Sequence, residues 1–280
     1  MGIQTSLDTI RAAERLVDSM RLADDLAFEA SRDSGLRTIR LLCAAIAGED
    51  HIVAIAATHA LAQTSGPEAD AALTALLDSD RAYLREHAAW AMATRIPQFE
   101  AVGRLIGLVS SGGFVGMLAQ RTLEHWCLFG AIPIAVGLES ALLRTTEPAV
   151  RLRLVETLGL IADPIARGPL LQAASDDAEG EDVRVAAIAA LGDRRGDPEI
   201  ADALADLSCE EGEVGAAARL ACVDLAFSSP TDAVGHDDLT IVQLFLHADI
   251  DPELSQSGSG DNGGIATLLV HLGDALTAVA

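Results

Sequence analysis

Apolar residues recur along most of this chain at the three- and four-residue spacing of an α-helix. In the stretch 36–47, for example, Ile39, Leu42 and Ile46 share one helical face. Breaks rich in Gly, Pro, Asp and Ser separate such stretches, so the pattern predicts helices joined by tight turns. The predicted helices are N-terminal ones within 6–32 and at 36–47, five pairs at 51–63 with 68–77, 81–95 with 98–109, 114–129 with 134–143, 149–161 with 165–174 and 183–194 with 199–207, and a last helix at 214–227.

Two of these pairs repeat one sequence pattern, and they begin 33 positions apart. Residues 150–159 end on Leu-Gly and are followed by Asp163-Pro164, and residues 183–192 end on Leu-Gly and are followed by Asp197-Pro198. Gly predicts a left-handed cap at the end of the first helix. Asp-Pro predicts an N-cap and the first residue of the second helix.

A helical repeat of this period predicts stacked helix pairs, which bury their apolar faces only against neighbouring pairs. Half of the residues are apolar but only 3% are aromatic, so the core is expected to consist of small, closely packed side chains. We therefore predict an all-α fold, an α-solenoid of about five helix pairs with a short incomplete βα appendage at the C-terminus.

The repeats resemble those of the HEAT-repeat family, in the short bacterial form that also occurs in phycobilin lyases. Asp182-Val183-Arg184, Leu191-Gly192 and Asp197-Pro198 carry the resemblance, which covers about 45–227. It implies that four residues brace adjacent repeats and have a structural role: Arg151, Asp163, Arg184 and Asp197.

The pattern changes after residue 227. The apolar, β-branched run 239–246 predicts a buried strand, and Gly263-Gly264 opens an apolar helical segment. This order resembles the start of a retaining GT-B glycosyltransferase, which implies that Gly263 and Gly264 contact the donor phosphate or the acceptor. The other parts of such an enzyme are missing, so we expect a chain cut short, inactive as given, that would bind a sugar nucleotide only as part of a longer chain.

The predicted organisation has four parts. These are capping helices at 1–47, HEAT-like repeats at 48–227, a linker at 228–238 and the incomplete βα unit at 239–280.

The net charge of the chain bears on which partners it can bind. The chain has 42 acidic residues against 19 basic ones, every basic residue is Arg, and the net charge is −23. Binding to nucleic acid or to an anionic membrane is therefore not expected. The N-terminal segment lacks the apolar core of a signal peptide. No catalytic, metal or cofactor motif is present, so we expect no cofactor. Because a signal peptide is absent we expect a cytoplasmic location, and because Lys is absent we expect a bacterial protein.

His87, Trp90, His125 and Trp126 occupy similar positions in neighbouring repeats. They could line one wall of the solenoid and bind a ligand, but core packing is the favoured interpretation. The favoured function is a non-catalytic scaffold that binds a protein on the concave surface formed by the second helices. The alternatives are a regulatory or substrate-presenting part of a retaining glycosyltransferase and, less favoured, an enzyme similar to chromophore lyases.

Overall fold

The computed structural model describes residues 2–226 and 263–277, and every regular element in them is helical. A short 3₁₀ turn, Pro164–Ala166, precedes α10. The helices are α1 Ile3–Ala12, α2 Leu16–Arg32, α3 Leu36–Ala47, α4 His51–Ala62, α5 Pro67–Leu76, α6 Ala82–Met92, α7 Phe99–Ser111, α8 Gly113–Leu142, α9 Pro148–Gly159, α10 Arg167–Ser175, α11 Glu181–Gly192, α12 Pro198–Leu207, α13 Gly212–Ala226 and α14 Gly263–Thr277.

The chain divides into two units, Met1–Phe227 and Ser228–Ala280. Within the first unit, α2, α4, α6, α8, α9, α11 and α13 form a row in which each helix packs against the next. On the other side, α3 packs against α5, α5 against α7, and α10 against α12. The core between the two rows consists mostly of Leu, Ala, Val and Ile. The fold is an all-α, HEAT-like solenoid, as the periodicity predicts.

In the third predicted pair, the connection between the two helices differs from the predicted turn. Instead of two helices separated by a turn, α8 runs from Gly113 to Leu142 with one non-helical residue, Gly130, at φ −149° and ψ 38°. Pro133 follows three residues later and has no backbone N–H to donate to the carbonyl of residue 129. The predicted turn is therefore a kink.

Among the described residues, α8 is also the one helix long and apolar enough to cross a membrane by length and composition. A core helix of a soluble protein passes the same test. Leu123 and Trp126 of α8 are buried in the core, and 33% of its apolar 18-residue window is buried.

The prediction of left-handed caps at Gly159 and Gly192 is wrong. Both are the last residues of their helices and neither has a positive φ. A Cβ atom at Gly159 would lie 2.8 Å from the Cβ of Ala190, and one at Gly192 would lie 3.0 Å from the Cβ of Ala221. Glycine at these positions lets consecutive helices of the first row approach closely.

Two helices, α1 and α2, form where the sequence predicts one or two within 6–32, and α3 matches its predicted range. Since α2 packs on α4 and α3 on α5, they extend the two rows of helices. In the second unit, α14 begins at Gly263, where the sequence predicts a helix start. The predicted strand at 239–246 lies outside the described residues.

Candidate functional site

An apolar groove lies between α2, α4 and α6, with a volume of about 380 Å³. Its exposed wall is unusual for a protein surface, because Leu16, Met20 and Trp90 are each more than half exposed to solvent. Contiguous exposed apolar surface of this kind marks binding sites. The lining residues are Leu16, Ser19, Met20, Ala23, Asp24, Ala27, Ile52, Ile55, Ala56, His59, His87 and Trp90.

Helical spacing places these side chains on shared faces. On α2 the lining residues begin at Leu16, Ser19, Met20 and Ala23, a spacing of three, four and seven. α4 contributes the same kind of stripe and is apolar around its circumference, because its opposite face packs in the core. The groove is thus formed where an N-terminal helix meets the first repeats, with its floor made of small Ala side chains.

Two imidazole rings and an indole form the polar end of the groove. The Nε2 atom of His59 lies 2.9 Å from the Nδ1 atom of His87, so one ring donates an N–H and the other accepts it. The Trp90 ring contacts both, with its centroid 5.3 Å from that of His59 and 6.2 Å from that of His87. This places a hydrogen-bonded aromatic cluster beside the apolar wall.

Burial keeps this histidine pair neutral. Burial and, to a lesser extent, the nearby His87 together lower the pKa of His59 to about 4. Burial also lowers the pKa of His87, while the neighbouring Glu86 carboxylate acts in the opposite direction. Among the described residues no group of three His, Cys, Asp or Glu side chains is placed to hold a metal ion. The groove is therefore suited to bind apolar groups by contact.

The structure separates the four His and Trp residues that the sequence grouped together. Trp126 is 1% exposed and its Nε1 donates to the carbonyls of Met92 and Arg95, so core packing is confirmed there. For Trp90 that expectation is wrong, because 54% of the residue is exposed. His125 is exposed and outside the groove. The sequence pattern could not distinguish the two Trp residues, because each lies in the first helix of a predicted pair and within one turn of a His.

Of the four residues expected to brace the repeats, Arg151 and Arg184 lie in the first turn of α9 and α11, and Asp163 and Asp197 precede the 3₁₀ turn and α12. Arg151 forms a bidentate pair with Glu179 and donates to the carbonyls of Leu142 and Thr145. Arg184 donates from Nε to the carbonyl of Ala174.

Asp163 and Asp197 act at helix starts, as the Asp-Pro pattern predicts. Asp163 accepts from the amide of Ile165, and Asp197 accepts from the amide of Glu199. Asp197 also pairs with Arg167 at 3.0 Å, across to the preceding repeat.

Three further arginines also connect neighbouring helices by hydrogen bonds, and the sequence did not indicate them. Arg95 and Arg194 donate to carbonyls at the C-terminal end of the first helix of the preceding pair, and Arg81 donates to carbonyls at the end of α3. These carbonyls have no partner within their own helix, so the guanidinium groups satisfy them. Arg81 is the N-cap of α6, whereas Arg95 and Arg194 follow the ends of α6 and α11, so the three share no position in the repeat that the sequence could have indicated.

Gly263 and Gly264 are the first two residues of α14. Their role at a donor or acceptor site stays a prediction, and the strand that would complete the unit lies outside the described residues.

The second helices that form the expected partner surface differ in apolar exposure, since Phe99 of α7 and Val136 of α8 are 66% and 49% exposed. Among the described residues, α5, α10 and α12 present no large apolar side chain that is exposed. The groove, formed by α2, α4 and α6, lies in the row of first helices instead. The sequence does not indicate this groove, because it predicts α2 as part of an N-terminal cap.

Comparison with known proteins supports the repeat assignment. Residues 135–222 match the family described as HEAT repeats. No curated protein matches the chain in sequence. Among solved structures, human deoxyhypusine hydroxylase in complex with glycerol is similar at 17% identity and a TM-score of 0.38, over 80% of this chain and 97% of that one.

Two other solved structures have comparable values. An engineered protein has 22% identity and a TM-score of 0.35, over 81% of this chain and 97% of that one. The complex of CpcE and CpcF of phycocyanin lyase from Nostoc sp. PCC7120 has 16% identity and a TM-score of 0.39, over 80% and 95%. Residues 135–222 are thus similar to HEAT repeats, within a chain whose described residues form an all-α, HEAT-like solenoid.

Proposed function

We propose that this chain is a non-catalytic interaction scaffold whose groove between α2, α4 and α6 binds a basic, amphipathic helix of a partner protein. The observation that supports it is the groove itself. Its apolar wall is exposed, and its polar end is a neutral histidine pair that costs little to desolvate.

The shape of the groove favours a helix as its ligand. Two parallel stripes at helical spacing, on α2 and α4, form its sides, and Trp90 closes one end. An amphipathic helix places its apolar side chains at positions i, i+3, i+4 and i+7 into such a groove. Large rigid side chains such as Trp90 supply most of the contact energy in interfaces of this kind.

Charge favours a basic partner. The chain has a net charge of −23, and the exposed Asp24 lines the groove itself. A partner helix with Lys and Arg on its solvent side is attracted by the surrounding acidic surface, whereas an acidic partner is repelled. The partner would thus be held by apolar contacts and selected by charge.

A designed peptide tests this proposal. The probe is an 18-residue helix with Leu at i, i+3, i+4 and i+7 and Lys elsewhere, and its control has Glu in place of Lys. Binding of the Lys peptide should change the emission of exposed Trp90, and Trp90→Phe should abolish that signal because Trp126 is buried. The Glu peptide should not bind.

Met20→Asp separates groove binding from general electrostatic attraction. It adds a negative charge, so purely electrostatic binding would become tighter, whereas loss of an apolar contact should weaken binding by about tenfold or more. Leu220→Asp, on α13, is the matched control, since Leu220 is as exposed as Met20. Equal affinities for Met20→Asp and Leu220→Asp would contradict the proposal.

The two alternatives, a regulatory or substrate-presenting part of a retaining glycosyltransferase and an enzyme similar to chromophore lyases, stay predictions from the sequence. The glycosyltransferase interpretation depends on residues 239–280, and no described residue adds a further observation in favour of it or of a chromophore lyase activity.

A further inference from the structure

A second exposed apolar surface surrounds the kink of α8, well apart in sequence from α2. We call it the kink patch. Its six side chains are between 49% and 82% exposed: Ile96, Phe99, Leu128, Phe129, Ile132 and Val136.

The kink holds these side chains together. A Cβ atom at Gly130 would lie 3.7 Å from the Cβ of Pro97 and 3.8 Å from the ring of Phe99, so the kink rests on the turn between α6 and α7. Leu128 and Phe129 immediately precede Gly130. The patch therefore includes residues of α7, of α8 and of the turn between α6 and α7.

We propose that the kink patch is a two-fold interface between two copies of this chain. The first reason for a second copy is electrostatic. Each copy carries −23, so two copies repel each other wherever acidic surfaces meet. Residues 126–138 contain no charged residue, and Leu128 and Phe129 within that stretch are 81% and 82% exposed. This surface lets two copies meet with the least repulsion.

The size of the patch also fits a second copy. Six apolar side chains exposed to this degree present on the order of 800 Å², which is about what each partner contributes to a stable interface of standard size. In a two-fold dimer each patch covers its own duplicate, so an apolar surface is matched by an equal one. The basic partner proposed for the groove would gain no electrostatic attraction from the uncharged patch.

Sedimentation velocity of the full chain between about 1 and 100 μM tests the interface. The wild type should form a dimer within this range. The double variant Leu128→Asp, Phe129→Asp should remain monomeric, with a dissociation constant raised by at least about 100-fold. Leu220→Asp, Val223→Asp is the matched control, because these two side chains of α13 are also more than half exposed. It should dimerise as the wild type does.

Salt provides an independent readout. Because the two copies repel each other electrostatically, the dimer should become tighter as sodium chloride rises from about 50 to 500 mM. Circular dichroism should show equal helix content in all variants.

Three results would overturn the proposal. They are a wild type that is monomeric at every concentration, a dimer that survives the double variant, and assembly into open-ended oligomers. None of them bears on the groove, whose peptide-binding test uses different residues.

Discussion

At the scale of single residues, the histidine pair makes the stability of the fold depend on pH. Burial lowers the pKa of His59 from 6.5 to about 4, so between these values the unfolded chain binds a proton that the folded chain excludes. The contribution of His59 to stability should therefore be fully present above pH 6.5 and decrease as the pH falls towards 4, by about 3 kcal/mol in all. Urea unfolding at pH 7, 6 and 5 measures this slope.

Substitution identifies the source of that slope. His59→Gln has no titratable ring, so its stability should decrease less between pH 7 and pH 5 than that of the wild type. His125→Gln is the control, because His125 is exposed and outside the groove. If His59→Gln and the wild type have the same slope, another group governs the acid response.

Arg184 is a buried charge whose removal should be costly. It is only 9% exposed, and it donates to the carbonyl of Ala174 at 2.9 Å and to the Glu210 carboxylate at 2.8 Å. Arg184→Met leaves both acceptors without that donor, so we expect the free energy of unfolding to fall by about 2–3 kcal/mol. Arg195→Met, at an exposed position, should change it by less than about 0.5 kcal/mol. Equal effects of the two substitutions in urea unfolding would mean that Arg184 does not brace the repeats.

At the scale of helices, the same substitution should have opposite signs at two glycines. Gly192→Ala places a Cβ atom 3.1 Å from the Cα of Ala221, a backbone atom that cannot move aside cheaply, so we expect a loss of about 1–2 kcal/mol. Gly107→Ala, inside α7, meets no atom within 4 Å and should stabilise by about 0.5–1 kcal/mol through helix propensity. Thermal unfolding of both variants checks the pair of signs. A stabilising Gly192→Ala would show that α11 and α13 do not need close contact there.

Helix positions could be predicted from the sequence because helix formation depends on local spacing and turns. The pattern at 183–192, for instance, predicts α11, and Asp197 predicts the start of α12. What glycine does at Gly192 could not be predicted, because it depends on a helix more than 20 positions away. The candidate site was missed for the same reason, since the exposure of Trp90 depends on how α2 packs beside α4 and α6.

At the scale of the molecule, the net charge of −23 acts on stability as well as on partners. The 42 acidic residues exceed the arginines that can pair with them, so like charges on neighbouring repeats repel one another. Exposed ion pairs such as Arg104 with Asp78 are worth at most about 1 kcal/mol each, and salt weakens them too. We infer that repulsion is the larger effect and that screening it stabilises the fold.

The melting temperature at pH 7.5 should therefore rise by several degrees, about 3–8 °C, as sodium chloride increases from 20 to 300 mM. The melting temperature should be measured on the Leu128→Asp, Phe129→Asp variant, so that self-association cannot contribute to its rise. Potassium chloride should act equally, because screening depends on ionic strength and not on the cation. A melting temperature that falls with salt would mean that the inter-repeat pairs, such as Arg151 with Glu179, outweigh the repulsion among the remaining carboxylates.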